Sequence, residues 1–102
     1  MQFMITAYDG TDKGARARRM SVRPRHLENI ARVKQKGSVV CAGGITDDAG
    51  RPTGSFLILD FESRTLLDEY LASEPYVTGK VWQDIRVETC SVVIMNDEMV
   101  GK

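Results

Sequence analysis

The sequence predicts an α+β domain in which two helices cover one face of a four-stranded antiparallel sheet. Three observations carry that reading. Strand-like and helix-like runs follow one another in the order β-α-β-β-α-β, the central strands are joined by a turn-forming segment, and the third strand is apolar on both faces.

"QFMITAY", Gln2 to Tyr8, is β-branched and aromatic and ends at Asp9-Gly10, so it reads as a strand followed by a turn. The polar "DGTDKGARARR" carries two glycines and reads as a mobile surface loop. A helix is expected from Ser21 to Lys36, with Ser21 as N-cap, Pro24 in the first turn and Gly37 as the stop. Its inward side is expected along Leu27, Ile30 and Ala31, with Lys34 laying its stem over the end. His26 shares a side with Ile30 and Val33, at the edge of that stripe.

"SVVCAGGI", Ser38 to Ile45, and "TGSFLILDF", Thr53 to Phe61, read as a hairpin across "TDDAGRP". "SRTLLDEYLAS" opens on Ser63 as N-cap and places Leu66, Leu67, Tyr70 and Leu71 along one side. Glu74-Pro75 ends that helix, because the residue before proline avoids the helical region. "DIRVETCSVVIM", Asp84 to Met95, reads as a long last strand, and residues 95–102 as a flexible tail. The order of elements is that of the ferredoxin-like plait. In the third strand Phe56 and Ile58 point one way, and Leu57, Leu59 and Phe61 the other. Helices can cover only one of these faces, so the other predicts an association surface and a homodimer with its sheets packed face to face.

A chain of 102 residues suits a single domain, residues 1–102, with a modest core. Its 14 basic and 14 acidic residues cancel, which argues against a nucleic-acid or anionic-membrane partner. No apolar run reaches the ~18 residues of a membrane span, and "MQFMITAYDG" has no signal-peptide pattern, so the expected location is cytoplasmic. Cys41 and Cys90 lie far apart, without a CxxC pair, and read as small buried thiols in a reducing compartment. No phosphate loop, dinucleotide fingerprint or metal-ligand cluster is present, so no cofactor and no metal are expected. Asp47 and Asp48, beside Gly50 and Pro52, read as a turn.

Candidate chemistry centres on His26, the single histidine. The reference pKa of histidine, about 6.5, lets such a side chain exchange a proton near neutrality. Arg23 near a helix start could bind an oxyanion with help from free backbone N–H groups, while Arg16, Arg18, Arg19 and Arg25 read as a solvated basic patch. Several positions also admit purely structural roles. Glu74 can be a helix-end acid, Gly43 and Gly44 a bulge, Asp9 a turn residue, Tyr76 a packing residue, and Trp82 part of the core or of an interface.

"SVRPRHL", "CAGGI", "GSFLILDFES" and "EPYVTGKVW", in that order and spacing, resemble the motifs of the YciI-like (YCII-related) family. That pattern reads SVRPxHL, a strand ending in AGP, a Gly-started strand ending in FES, and DPY followed by glycine. The resemblance runs from about Phe3 to Val87. It implies a dimeric ferredoxin-like α+β barrel whose site pairs a histidine with an acid. On this chain that pair is His26 with Glu74, which stands where the family pattern has Asp. Arg23, Ser21, Gly43 and Tyr76 become candidate substrate-binding residues, with Gly44 in place of the family proline. One member is a dehydrochlorinase acting on a chlorinated hydroxyquinone. The resemblance thus implies a small cofactor-independent lyase or isomerase, moving a proton on a small anionic, (halo)hydroxyquinone- or lactone-like substrate. The alternative is a non-catalytic, dimeric small-molecule-binding module.

Overall fold

The computed structural model describes residues 1–96 and 98–101. Strand β1 (Gln2–Asp9) leads to helix α1 (Ala15–Gln35), the hairpin β2 (Val39–Thr46) and β3 (Pro52–Asp60), helix α2 (Arg64–Ser73), the single turn α3 (Pro75–Thr78) and strand β4 (Trp82–Cys90). A separate hairpin, β5 (Ile94–Met95) with β6 (Glu98–Met99), follows. The main sheet has the order β2-β3-β1-β4 with every neighbouring pair antiparallel, which is the ferredoxin-like plait expected from the sequence.

Alternation along the strands builds the core. Phe3, Ile5 and Ala7 of β1 and Leu57 and Leu59 of β3 are buried on the helix side, against Val22, Leu67, Tyr70, Tyr76 and Trp82. Ser63 caps α2 as expected, its Oγ accepting from the Leu66 N–H at 3.2 Å. The β2–β3 turn is an Asx-type turn, in which Asp47 Oδ1 accepts from the backbone N–H of Ala49 and of Arg51, both at 2.9 Å. No helix among the described residues is long and apolar enough to cross a membrane.

Helix α1 departs from expectation at its start and in its orientation. It begins at Ala15, so much of the expected loop is helical. Its N-cap is Gly14, which supplies no side-chain bond. The first turn is tied instead by an Asp12–Arg18 ion pair at 2.8 Å, whose guanidinium holds the Asp12 carboxyl below its ordinary range. Ser21 is therefore not a cap. It lies inside the helix, exposed, and donates its hydroxyl proton to the Arg18 carbonyl at 3.0 Å. Pro24 is interior too, and lies on an exposed side of the helix; lacking an N–H, it donates no helix bond to the Met20 carbonyl.

The inward stripe of α1 runs Ala15, Arg19, Val22, His26, Asn29 and Val33, spaced alternately by four and three residues. Leu27 is 43% exposed and Ala31 is exposed, whereas Ile30 and Val33 pack against the core. Polar side chains occupy the inward stripe, so the apolar periodicity pointed to its flank.

The last strand is also shorter than expected. It stops at Cys90, and Ile94–Met95 turns back through Asn96, at φ 57°, to pair with Glu98–Met99. The backbone N–H of Val92 bonds Gln2 Oε1 at 2.7 Å and ties this segment to β1. The tail expectation covers Asp97 and Lys102, which lie outside the described residues. Cys41 is exposed and Cys90 half-buried, contrary to the expectation of buried thiols. Cys41 pairs with Ile58 on the sheet face that no helix covers.

That open face is a small lattice. Reading across the strands, one row is Cys41, Ile58, Met4 and Glu88, and the next is Gly43, Phe56, Thr6 and Arg86. Phe56 is 39% and Met4 36% exposed there.

Candidate functional site

A cleft of about 330 Å³ opens between α1 and the β2–β3 hairpin. Arg19, Arg23 and His26 line it from the helix, Gly43 and Ser55 from the strands, and Tyr76 from α3. Glu74 stands behind His26 with no exposed surface. Ser21 is not among the lining residues.

Glu74 owes its place to the break between two helices. It ends α2 in an extended conformation (φ −66°, ψ 125°), and Pro75 at the next position does more than stop a helix, because it opens α3. The Glu74 side chain folds back as the cap of α3, and Oε1 accepts from the Tyr76 N–H at 3.1 Å. Oε1 also meets His26 Nδ1 at 2.5 Å, while Oε2 accepts from Tyr70 Oη at 2.7 Å and from Asn29 Nδ2 at 3.0 Å. Arg32 Nη2 donates to Asn29 Oδ1 at 2.7 Å and so fixes which way the amide points.

Burial pushes the Glu74 carboxyl up, but hydrogen bonds from His26 and Tyr70 outweigh it and hold the group below its ordinary value. The Tyr70 phenol is pushed far up, first by burial and then by the adjacent Glu74 charge, so it stays a donor. An ionised carboxylate only accepts, so Nδ1 of His26 carries a proton. In the neutral imidazole, Nε2 is then the basic nitrogen. Nε2 has no hydrogen-bond partner among the described residues and is not sealed from solvent.

The ring of His26 is fixed from a second side. It stacks on Tyr76 with centroids 3.9 Å apart and planes 8° apart, and Trp82 meets it edge-on at 5.9 Å. The Arg19 guanidinium lies over the same Tyr76 ring, 4.9 Å from its centroid. Burial pushes the Tyr76 phenol up against the pull of Arg19 and Arg23, which keeps it neutral.

Arg19 does not belong to a solvated patch, as the sequence reading had it. It is 7% exposed, and its Nη1 reaches both carboxylate oxygens of Asp9 at 2.9 Å. Asp9 accordingly serves as its counter-ion as well as closing β1. Trp82 is 4% exposed and belongs to the core. Arg23 is exposed and has no hydrogen bond or ion pair among the described residues. It sits more than two turns into α1, so the expected help from free N–H groups at the helix start is absent.

Gly43 has a definite steric reason. A Cβ there would meet Cζ of Phe56 at 2.6 Å, so the phenyl ring of the neighbouring strand lies where a side chain would be. Among the described residues no three His, Cys, Asp or Glu side chains converge as metal ligands would.

The sequence reading missed Arg19, Asn29, Ser55 and Tyr70 as members of this site. The available signal was the four-three spacing of Arg19, Val22, His26 and Asn29, which puts all four on one side of a helix.

Comparison with known proteins agrees with the fold. In solved structures, the chain resembles the 5-chloro-2-hydroxyhydroquinone dehydrochlorinase of Burkholderia phenoliruptrix, determined with 2,5-dihydroxybenzoquinone. The TM-score is 0.76 at 22% identity, over 88% of this chain and 93% of that one. A more distant likeness, TM-score 0.52 at 18% identity, links it to an antibiotic biosynthesis monooxygenase over 91% of this chain and 98% of that one. In sequence it is 31% identical to the protein YciI of Escherichia coli O6:H1 over 94 residues, covering 86% of this chain and 94% of that protein. It is also 32% identical to the aspercryptin biosynthesis cluster protein B of Emericella nidulans over 72 residues, 64% of this chain and 46% of that protein. The family model of the YCII-related domain matches residues 1–91, and the chain belongs to that family.

Proposed function

We propose that the protein is a small enzyme of the lyase or isomerase type, moving a proton on a small anionic substrate held in the α1/β2–β3 cleft. The observation that carries this reading is the 2.5 Å contact of His26 Nδ1 with the buried Glu74, on a ring whose other nitrogen is free beside the cleft. Such a pairing fixes the tautomer, aims Nε2, and stabilises the imidazolium formed when Nε2 takes a proton. Glu74 acts on the substrate only through His26 and is a positioning residue. Arg23, the cleft guanidinium without an internal counter-ion, holds the negative oxygen of the substrate. Gly43 and Tyr76 shape the walls. A second copy of the chain covers the open sheet face, giving a homodimer.

The family and the fold shared with a dehydrochlorinase support a substrate class, a ring bearing an ionisable oxygen, as in a halogenated hydroxyquinone or an enol lactone. Removal of a proton by Nε2 raises electron density in such a ring. That density either expels a halide, with net loss of HX, or accepts the proton back at a second carbon. Electrons balance in both cases.

Purified protein given 5-chloro-2-hydroxyhydroquinone should release chloride, read with an ion-selective electrode. His26→Asn should slow release by about 10²–10⁴-fold while the near-ultraviolet dichroism keeps its folded signature. The reading fails if no halohydroxyquinone or enol lactone is turned over. Saturable binding without turnover would establish the non-catalytic binding module instead.

A further inference from the structure

We infer that Ser55 is a ligand-binding residue whose hydroxyl donates its proton to an anionic oxygen of the bound molecule. A hydroxyl has one proton to give and two lone pairs to fill. At Ser55 both lone pairs are taken by groups that can only donate, Arg19 Nη2 at 3.1 Å and the indole Nε1 of Trp82 at 3.1 Å. Its own proton has no acceptor within hydrogen-bond distance among the described residues. The residue is 4% exposed and lines the cleft. A buried donor left unpaired is penalised, and native structures rarely keep one without use. The direction left to this proton is the cleft.

The surroundings select the kind of oxygen. A guanidinium bonded to Oγ polarises the hydroxyl and makes it a stronger donor than an ordinary serine. Asp9 holds that guanidinium with two bonds at 2.9 Å, so Arg19 is spent on Ser55 and Asp9. The free positive charge at the cleft is Arg23. The ligand oxygen that fits both groups carries negative charge: a phenolate, enolate or carboxylate. This assignment rests on reading the cleft as the ligand site, and it adds an anchoring point that the histidine–acid pair does not supply.

The test uses two probes that differ in one group, pentafluorophenolate and hexafluorobenzene, titrated at neutral pH and followed by fluorine NMR. The wild-type protein should bind the phenolate more tightly than the neutral ring. Ser55→Ala should weaken the phenolate by about ten- to hundredfold and leave hexafluorobenzene nearly unchanged. Ser55→Thr, which keeps a hydroxyl and suits a strand, should restore the phenolate. Equal weakening of both probes in Ser55→Ala would assign the residue a structural role and overturn the inference, as would undiminished phenolate binding. A wild-type measurement guards against variants that fail to fold. Trp82 is the only tryptophan, so its indole N–H gives one unambiguous signal. When Ser55 donates to the phenolate, Oγ becomes a better acceptor and the indole proton should move downfield. No such difference between the two probes overturns the inference. Both readouts report binding alone, so absence of turnover with Ser55-dependent phenolate binding would count against the enzyme and not against this role.

Discussion

Glu74 has no exposed surface and accepts four hydrogen bonds, so its charge is coupled to folding. Its folded value lies below the ordinary 4.5. The stability it contributes is therefore fully present above about pH 4.5 and is lost as pH falls through the depressed folded value. Urea midpoints measured across this acid range should fall steeply for the wild type. Glu74→Gln should lower stability at neutral pH by roughly 2–4 kcal/mol, because an amide turns one of its NH₂ protons toward groups that themselves donate. It should also flatten the acid limb. An unchanged acid limb in Glu74→Gln would mean that other carboxylates control it. His26 was legible as the lone histidine at the edge of a helix stripe, but Glu74 as its partner came only through the resemblance to the family motifs. Arg19 and Asn29 were not legible, since a polar residue on a helix normally faces water, and what makes their burial tolerable is tertiary: the Asp9 carboxylate and Ser55 for Arg19, and hydrogen bonds with Glu74 and Arg32 for Asn29.

At the scale of elements, the first three strands and α2 followed their patterns closely because alternation and a serine cap are local signals. Helix α1 did not, because its cap is a bare glycine and its proline sits in the helix interior, on an exposed side. The break after Cys90 had no local signal either, since "SVVIM" is as strand-like as what precedes it. Strand β2 carries a sharper test. Gly43→Ala puts a methyl into the space of the Phe56 ring and should cost about 1 kcal/mol, the strain exceeding the gain in strand propensity. In a Phe56→Ala background the same change should stabilise instead. Urea midpoints of the four proteins in this double-mutant cycle measure the coupling, and additive effects would show that the ring does not press on Gly43.

The whole molecule presents two unlike sheet faces, one under helices and one bare with Met4, Phe56 and Ile58 at its centre. A two-fold partner is the commonest way to cover such a face. Light scattering at micromolar concentration should give about twice the chain mass of 11.4 kDa, and Phe56→Glu should return it to one chain mass. A wild-type monomer would leave the homodimer without support.

The exposed thiol of Cys41 lies in the same row as Ile58 and Met4, which turns an ordinary alkylating reagent into a stopwatch for assembly. Where two copies meet over this row, modification has to wait for them to part. The labelling rate should slow as protein concentration rises and level off on dilution, and the concentration at half-maximal rate then measures the grip of the pair.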